Sequence, residues 1–233
     1  MTNKKQQSDN RKESQIMYRF FKRFSDVFIS VIALILFSPL LLLVAILIKL
    51  ESKGPAIFKQ QRIGRGEKVF DIYKFRSMCV GAEKMGSGQY SFKGDPRVTK
   101  IGRIIRKLSI DELPQLLNIL KGDMSLIGPR PVLTYHPWDI SEYTDEQKKR
   151  FLVRPGVTGL AQVNGRKTLE WTERIKYDVY YTEHMSLFLD IKIFFKTIIK
   201  IVCASNNENT KETVAKPAQS KVTNDAETDV HNK

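Results

Sequence analysis

The sequence predicts an α+β fold: a mostly helical, membrane-associated domain with a re-entrant N-terminal helix hairpin, a small β-hairpin and interfacial amphipathic helices. Three observations lead there. Residues 27–48 carry no charge, and about 22 apolar residues are enough to span a bilayer once as a helix. Two strand-like segments, 56–62 and 69–75, flank Gly64-Arg65-Gly66, the pattern of a hairpin. Beyond them, apolar residues recur mainly at helical spacing.

The chain has 233 residues, 42% hydrophobic and 27% charged, which suits one domain of moderate size with appendages. Its 39 Lys and Arg outnumber 25 Asp and Glu, a formal net charge of +14. That excess calls for an anionic partner: nucleic acid, an acidic membrane surface or phosphorylated substrates. Cys79 and Cys203 have no metal-ligand spacing and form no disulfide framework, which fits a reducing compartment. Three scattered His residues argue against a zinc site.

Residues 1–16 are polar and read as a disordered tail. Residues 17–49 form the membrane element. Arg19, Lys22 and Arg23 mix with Tyr18, Phe20, Phe21 and Phe24, a combination that the lipid headgroup zone accommodates. Ser38-Pro39 interrupts the middle of the apolar run. Proline removes a helix hydrogen bond and kinks the backbone, and the Ser38 hydroxyl is placed to re-satisfy a freed carbonyl. Both flanks are basic, with Lys49, Lys53, Lys59 and Arg62 on the far side, so the positive-inside rule wants both ends in the cytoplasm. A helix bent at Ser38-Pro39 meets both demands, each limb reaching about 15 Å, half the hydrocarbon core. A straight or gently kinked span is the alternative, since proline is tolerated in spanning helices.

Residues 50–203 are soluble in character. In the second strand the alternation puts Lys74 and Arg76 on one face, either solvated or turned toward an anion. Residues 81–94 are Gly-rich and poor in apolar side chains, the composition of a mobile loop. Ile101, Ile104, Ile105 and Leu108 then repeat at helical spacing with Arg103 and Arg106 between them.

The chain is organised around the stretch Ser109-Ile110-Asp111-Glu112-Leu113-Pro114-Gln115. Pro114 fits a first helical turn, because its missing N–H is not needed there. A helix is therefore expected from near Asp111 to about residue 120, with Gly122 as its stop. Both carboxylates would lie at the positive end of its dipole, which favours ionisation. Asp111 is then a nucleophile or metal ligand, or simply an N-cap. Arg106 lies just ahead of the pair and is a natural phosphate partner.

Arg130 sits between two prolines in Gly128-Pro129-Arg130-Pro131, and a cation on a rigid turn loses less entropy on gripping an anion. Residues 138–149 are polar and expected at the surface. Arg154-Pro155-Gly156-Val157-Thr158-Gly159 and Asn164-Gly165-Arg166 form a Gly/Arg-rich region, of the kind that brings backbone N–H groups close to phosphates. Residues 169–181 read as a helix. In 187–202 Lys192, Lys196 and Lys200 recur every four residues among apolar ones, which suits a helix in the membrane interface or an amphipathic core helix. Residues 204–233 are polar and expected to be disordered.

In order and spacing, residues 19–202 resemble the bacterial sugar transferase family, the monotopic phosphoglycosyl transferases. The matching stretches include Ser38-Pro39, Gly54-Pro55, Tyr73-Lys74-Phe75-Arg76-Ser77-Met78, Ser109 to Gln115, Gly122-Asp123-Met124-Ser125, the Pro-Arg-Pro turn and the two Gly/Arg loops. The chain looks like the minimal catalytic form. The resemblance implies transfer of a sugar-1-phosphate from a UDP-sugar to undecaprenyl phosphate, releasing UMP and initiating capsule, exopolysaccharide or glycoprotein glycan synthesis. It implies that Asp111 attacks the sugar-bearing phosphate and holds a phosphosugar covalently, that Glu112 organises the site, and that Mg²⁺ binds near Asp111. Lys74, Arg76, Arg106 and Arg130 would bind substrate phosphates, and Arg154 and Arg166 match the family's Gly/Arg loop. An N-acetylated hexosamine is the first expectation for the sugar. The implied setting is the cytoplasmic face of the inner membrane, with the phospholipid bilayer and downstream glycosyltransferases as partners. Two other classes compete: a membrane-tethered nucleic-acid binder, which lacks any recognisable nucleic-acid module, so that no nucleic acid is expected, and a non-catalytic scaffold of a glycan-assembly complex.

Overall fold

The computed structural model describes residues 2–86, 88, 91–92, 94–165 and 169–202, with side chains between residues 16 and 200. Helix α1 (Thr2–Glu51) runs without interruption through Pro39. Ser38-Pro39, where the sequence places the bend of a re-entrant helix, lies inside this one helical segment. Pro39 leaves the carbonyl four residues back, that of Ile35, without its N–H, and Ser38 Oγ donates to that oxygen at 2.8 Å. Residues 2–16, expected as a disordered tail, continue the same helix, since each residue added to an existing helix gains a hydrogen bond at little nucleation penalty. The C-terminal tail expected over 204–233 lies outside the described residues.

Strands β1 (Ile57–Ile63) and β2 (Val69–Phe75) pair antiparallel, with Ile57 opposite Phe75 and Ile63 opposite Val69. A turn of 3-10 helix, Arg65–Glu67, joins them, and Gly66 there takes φ 64°. Strand β4 (Val132–Leu133) adds to the other edge of β1. Strands β3 (Ser125–Ile127) and β5 (Gly156–Thr158) pair parallel. The remaining helices are α2 (Lys100–Lys107), α3 (Gln115–Lys121), α4 (Asp145–Lys148), α5 (Leu160–Asn164), α6 (Trp171–Glu183) and α7 (Leu187–Val202).

Helix α1 is both the membrane element and a wall of the core. Residues Ile16–Glu51 are long and apolar enough to cross a membrane, and most of their surface is exposed. One stripe is not. Ala33 and Leu34 pack on Ile72, Leu116, Ile119 and Met124. Val44 and Ile48, 4% and 2% exposed, pack with Phe75 and Ile105, with Leu40, Leu41 and Ile110 alongside. Burying two such side chains is worth about 3–6 kcal/mol.

Polar bonds fix α1 on both sides of its apolar run. Asp190 of α7 accepts from Tyr18 Oη at 2.8 Å and Lys22 Nζ at 2.7 Å. Asp26 accepts from Ser125 Oγ at 2.6 Å and the Leu126 N–H at 3.1 Å. At the far end the Glu51 carboxylate accepts from the Lys100 and Ile101 N–H groups, capping α2.

Residues 138–149 lie at the surface as expected, apart from two aromatic residues. Trp138 and Tyr143, 4% and 3% exposed, join Ile63, Val132, Phe151, Ile175 and Val179 in a core cluster. Two aromatic rings in a polar segment bury enough area to anchor the segment. Helix α7 exposes Leu187, Phe188, Ile191, Phe194, Phe195, Ile198 and Ile199 while burying Ile193. Its apolar surface exceeds what the core uses, in line with a helix at a lipid interface.

Candidate active site

The acidic pair sits in a turn of 3-10 helix, Ile110–Glu112, that leads into α3. The helix proper starts at Gln115 and ends at Gly122, whose φ of 96° closes the C-terminus. The expected start near Asp111 thus moves on to Gln115, and the carboxylates stand ahead of the helix instead of inside its first turn. Ser109, immediately before the turn, holds φ 57°, an uncommon conformation for a residue with a side chain that concentrates at functional sites. Ile110 rests on the α1 cluster and Leu116 on Ala33 and Leu34. The membrane helix therefore supports the pair from both sides in sequence.

Glu112 takes two cations. Its Oε1 accepts from Lys74 Nζ at 3.0 Å and from Arg130 Nη2 at 2.8 Å. Burial alone would raise the Glu112 carboxyl, and Arg130 and Lys74 overcome it, holding the group well below the usual range. Burial lowers the Lys74 ammonium, with Glu112 opposing. Asp111 behaves oppositely: burial first, then the neighbouring Glu112 charge, push it up to about 6 against the pull of Lys74, Arg106 and Arg130. Helix-dipole stabilisation, expected to favour its ionised form, is outweighed because the turn is desolvated and the adjacent acid is already charged.

Arg106 reaches the site from α2, where Ser77 Oγ accepts from its Nε at 2.7 Å and Ser91 Oγ from its Nη1 at 2.9 Å. These residues line one cavity of about 1230 Å³ that also includes Arg62, Arg150, Gln162, Trp171, Arg174 and Asp178. It is large enough for a nucleotide-sized ligand.

The other expected phosphate binders are placed differently: Arg76 also lines this cavity, but its guanidinium is engaged by the end of α1. Arg76 donates to the Ile48, Ser52 and Lys53 carbonyls and to Ser52 Oγ. It caps the C-terminal end of α1, where carbonyls lack helical partners. Arg154 donates to the Gly122 carbonyl and lines a separate small pocket. Arg166 lies outside the described residues. The glycines of the loop region stack backbone on backbone: a Cβ on Gly156 would stand 2.1 Å from Gly128 N, and one on Gly159 2.1 Å from Gly128 O. Their smallness serves packing of β3 against β5.

Sequence reasoning passed over Ser77, Ser91, Arg62 and Arg150. Arg62 donates to Gln60 Oε1 and to the Pro131 carbonyl, and burial with the nearby Arg130 lowers it to about 10. Arg150 donates to Asp178 and to the Arg130 carbonyl. Nothing in its local sequence marks Arg150, whereas Ser77 sits two residues after the Lys74-Phe75 pair and was within reach.

Residues 17–204 match the family model described as bacterial sugar transferase. The chain belongs to that family. Of similar curated proteins, an Aeromonas hydrophila UDP-N-acetylgalactosamine-undecaprenyl-phosphate N-acetylgalactosaminephosphotransferase is 49% identical over 189 residues, covering 80% of this chain and 44% of the relative. An uncharacterized sugar transferase of Bacillus subtilis is 41% identical over 194 residues, 83% of this chain and 93% of the relative. A Caulobacter vibrioides UDP-glucose:undecaprenyl-phosphate glucose-1-phosphate transferase is 46% identical over 190 residues, 79% of this chain and 71% of the relative. The chain thus spans less than half of the first relative and most of the other two. In this bacterial sugar transferase the whole cavity, the acidic turn and α1 from Met17 onward fall inside the matched span.

Proposed function

We propose that this protein transfers a sugar-1-phosphate from a UDP-sugar to undecaprenyl phosphate with release of UMP. One observation carries the reading: an acid freed of ion partners, Asp111, beside an acid that is fully engaged, Glu112, with Lys74, Arg106 and Arg130 converging on both. Two acids in one turn with opposite shifts divide the roles. Asp111, unshielded and ionised above about pH 6, attacks the sugar-bearing phosphorus. A bond forms from its carboxylate oxygen, the bond to the UMP phosphate oxygen breaks, and a phosphosugar–aspartate remains. The phosphate of the lipid then displaces Asp111 and takes the phosphosugar. Arg106 and Arg130 offset the charge of two anionic substrates meeting an anionic nucleophile, while Glu112 holds Lys74 and Arg130 in place. The names of the relatives support the donor and acceptor classes and divide over the sugar, N-acetylgalactosamine in one and glucose in another.

A carboxylate pushed upward by burial and an adjacent negative charge fits a divalent cation, since the cation removes both penalties. Mg²⁺ is held through one or two carboxylates plus substrate phosphates and water, so Asp111 suffices as the protein ligand. When bound it supplies charge neutralisation at the diphosphate.

Membrane geometry belongs to the same proposal. Tyr18 and Lys22 ahead of the apolar run of α1 and Glu51 beyond it all bond to the same domain. A helix crossing the bilayer would carry those groups to opposite faces, about 30 Å of hydrocarbon apart. Helix α1 therefore stays in one leaflet on the cytoplasmic side and sets Asp111 at headgroup depth, where the lipid phosphate is held. Cysteine labelling at residues 12 and 53 tests this, and labelling from opposite faces would overturn it.

The reaction is tested by incubating detergent-solubilised full-length protein with a panel of UDP-sugars, undecaprenyl phosphate and Mg²⁺. Lipid-dependent UMP release that disappears with Asp111→Asn supports the proposal. Release of UDP would mean that the sugar alone moves. No release with any donor, from a folded protein, would favour a scaffold.

A further inference from the structure

A second concentration of positive charge lies away from the catalytic cavity and shares no lining residue with it. Arg19, Lys22 and Arg23 of α1, Arg65 of the β1–β2 turn and Arg154 ahead of β5 surround a pocket of about 80 Å³. The acids there are spoken for: Asp26 is bonded to Ser125 and the Leu126 N–H, and Asp190 takes Lys22. Arg23 Nη1 is buried without a hydrogen-bond partner, and Nη2 of the same residue lies 3.7 Å from where a Cβ on Gly122 would stand. The Gly122 carbonyl is the one that Arg154 Nε donates to, so Arg23 and Arg154 meet at one glycine. Burial, then Arg23 and Arg65, lower the Arg154 guanidinium, and the one acid that opposes them, Asp26, is already bonded to Ser125 and the Leu126 N–H.

Such a cluster is stable with an anion in it and strained without one. The pocket volume suits a single phosphate group and excludes a nucleotide. Its place selects the source. Arg19 and Arg23 directly precede the apolar run, and Phe20, Phe21 and Phe24 are exposed around them, which is the composition of the headgroup belt.

We propose that Arg23, Arg65 and Arg154, with Arg19 at the rim, bind the phosphate of an anionic phospholipid headgroup, a structural lipid site separate from the active site. Arg154, expected to contact substrate phosphate, is then a phosphate ligand for the membrane instead. The bound lipid ties three segments together, α1, the β1–β2 turn and the strand leading to β5, and fixes the roll of α1 about its axis.

Lipid retention is read directly and does not depend on turnover. Full-length protein in neutral detergent, where no membrane surface potential operates, is loaded with phosphatidylglycerol or phosphatidylcholine, and bound lipid is counted by native mass spectrometry. The wild type should keep phosphatidylglycerol in preference. The double variant Arg23→Gln/Arg65→Gln should bind it about 30-fold more weakly, from the loss of two cation contacts. Lys49→Gln/Lys192→Gln, which removes the same charge from other exposed positions, should retain it. Arg23→Lys keeps the charge and should retain most binding, so misfolding of the double variant would not leave the question open. Equal loss in both double variants would mean diffuse attraction and overturn the site. Displacement of the lipid by inorganic phosphate at matched concentration would show a free-phosphate site and overturn the lipid assignment.

Discussion

Arg150 and Asp178 form an ion pair at 2.6 Å with both side chains 2% exposed, and the same Arg150 nitrogen donates to the Arg130 carbonyl at 2.9 Å. Helix α6 is thereby linked to the Pro-Arg-Pro turn that presents Arg130 to Glu112. Burial pushes Asp178 up to about 6 even with Arg150 beside it. Removing one partner strands the other charge, so Arg150→Met should lower stability by about 3–5 kcal/mol. The double variant Arg150→Met/Asp178→Leu should recover much of that loss in thermal unfolding, yet not the activity, because the Arg130 carbonyl has lost its donor.

Asp111→Asn should abolish turnover and stabilise the protein. The folded state raises this carboxyl to about 6, so it binds protons more tightly than the unfolded chain, and ionising it works against folding above about pH 4. Near pH 7 the asparagine variant should be more stable by about 1–3 kcal/mol, and the difference should vanish as pH falls toward 4. A melting temperature unchanged between the two proteins at pH 7 would contradict the desolvated turn.

The same group sets the acid limb of activity. With Asp111 as the nucleophile, kcat/KM should rise with pH through about 6 when Mg²⁺ is scarce. Saturating Mg²⁺ should move that inflection downward, since a bound cation favours the carboxylate. An inflection that ignores Mg²⁺ would separate the metal from Asp111.

Asp190 holds α1 to α7 through Tyr18 and Lys22, and ties in α6 through Tyr181. Asp190→Asn leaves Lys22 without its counter-charge and should destabilise by about 2–4 kcal/mol. Hydrogen exchange should accelerate around residues 18–26 and 187–193 ahead of the catalytic turn, because the apolar stripe at Val44 and Ile48 remains packed.

Two glycines give a contrast of mechanism. Gly156→Ala places a methyl 2.1 Å from Gly128 N, a backbone collision worth about 3 kcal/mol or more. Gly66 has open space around it and φ 64°, so Gly66→Ala should cost only the left-handed penalty of about 1–2 kcal/mol. Urea unfolding of both variants separates close approach from conformational strain.

Much of this was legible along the chain. The apolar run, the hairpin, α2 with Arg106, the acidic turn and α7 follow from local periodicity and turn chemistry, and those are short-range properties. Lys74 and Arg130 emerged because β-alternation and flanking prolines constrain side chains locally. Arg76 and Arg154 were less legible for a matching reason: a cation in a phosphate-like motif looks the same whether it faces a ligand or a backbone carbonyl. Which of these it meets depends on what lies opposite, and the segments opposite are distant in sequence.

By itself the sequence determined the element types, the membrane-seeking character of residues 27–48 and the acidic pair with its basic company. Tertiary structure alone decided that α1 remains one helix through Pro39, that Glu112 rather than Asp111 takes the cations, and that the arginines divide between two clusters. Charge and periodicity are encoded residue by residue. Desolvation and pairing arise only when α1, α2, α6 and the Pro-Arg-Pro turn converge, and they decide which acid is held ionised and which is pushed upward.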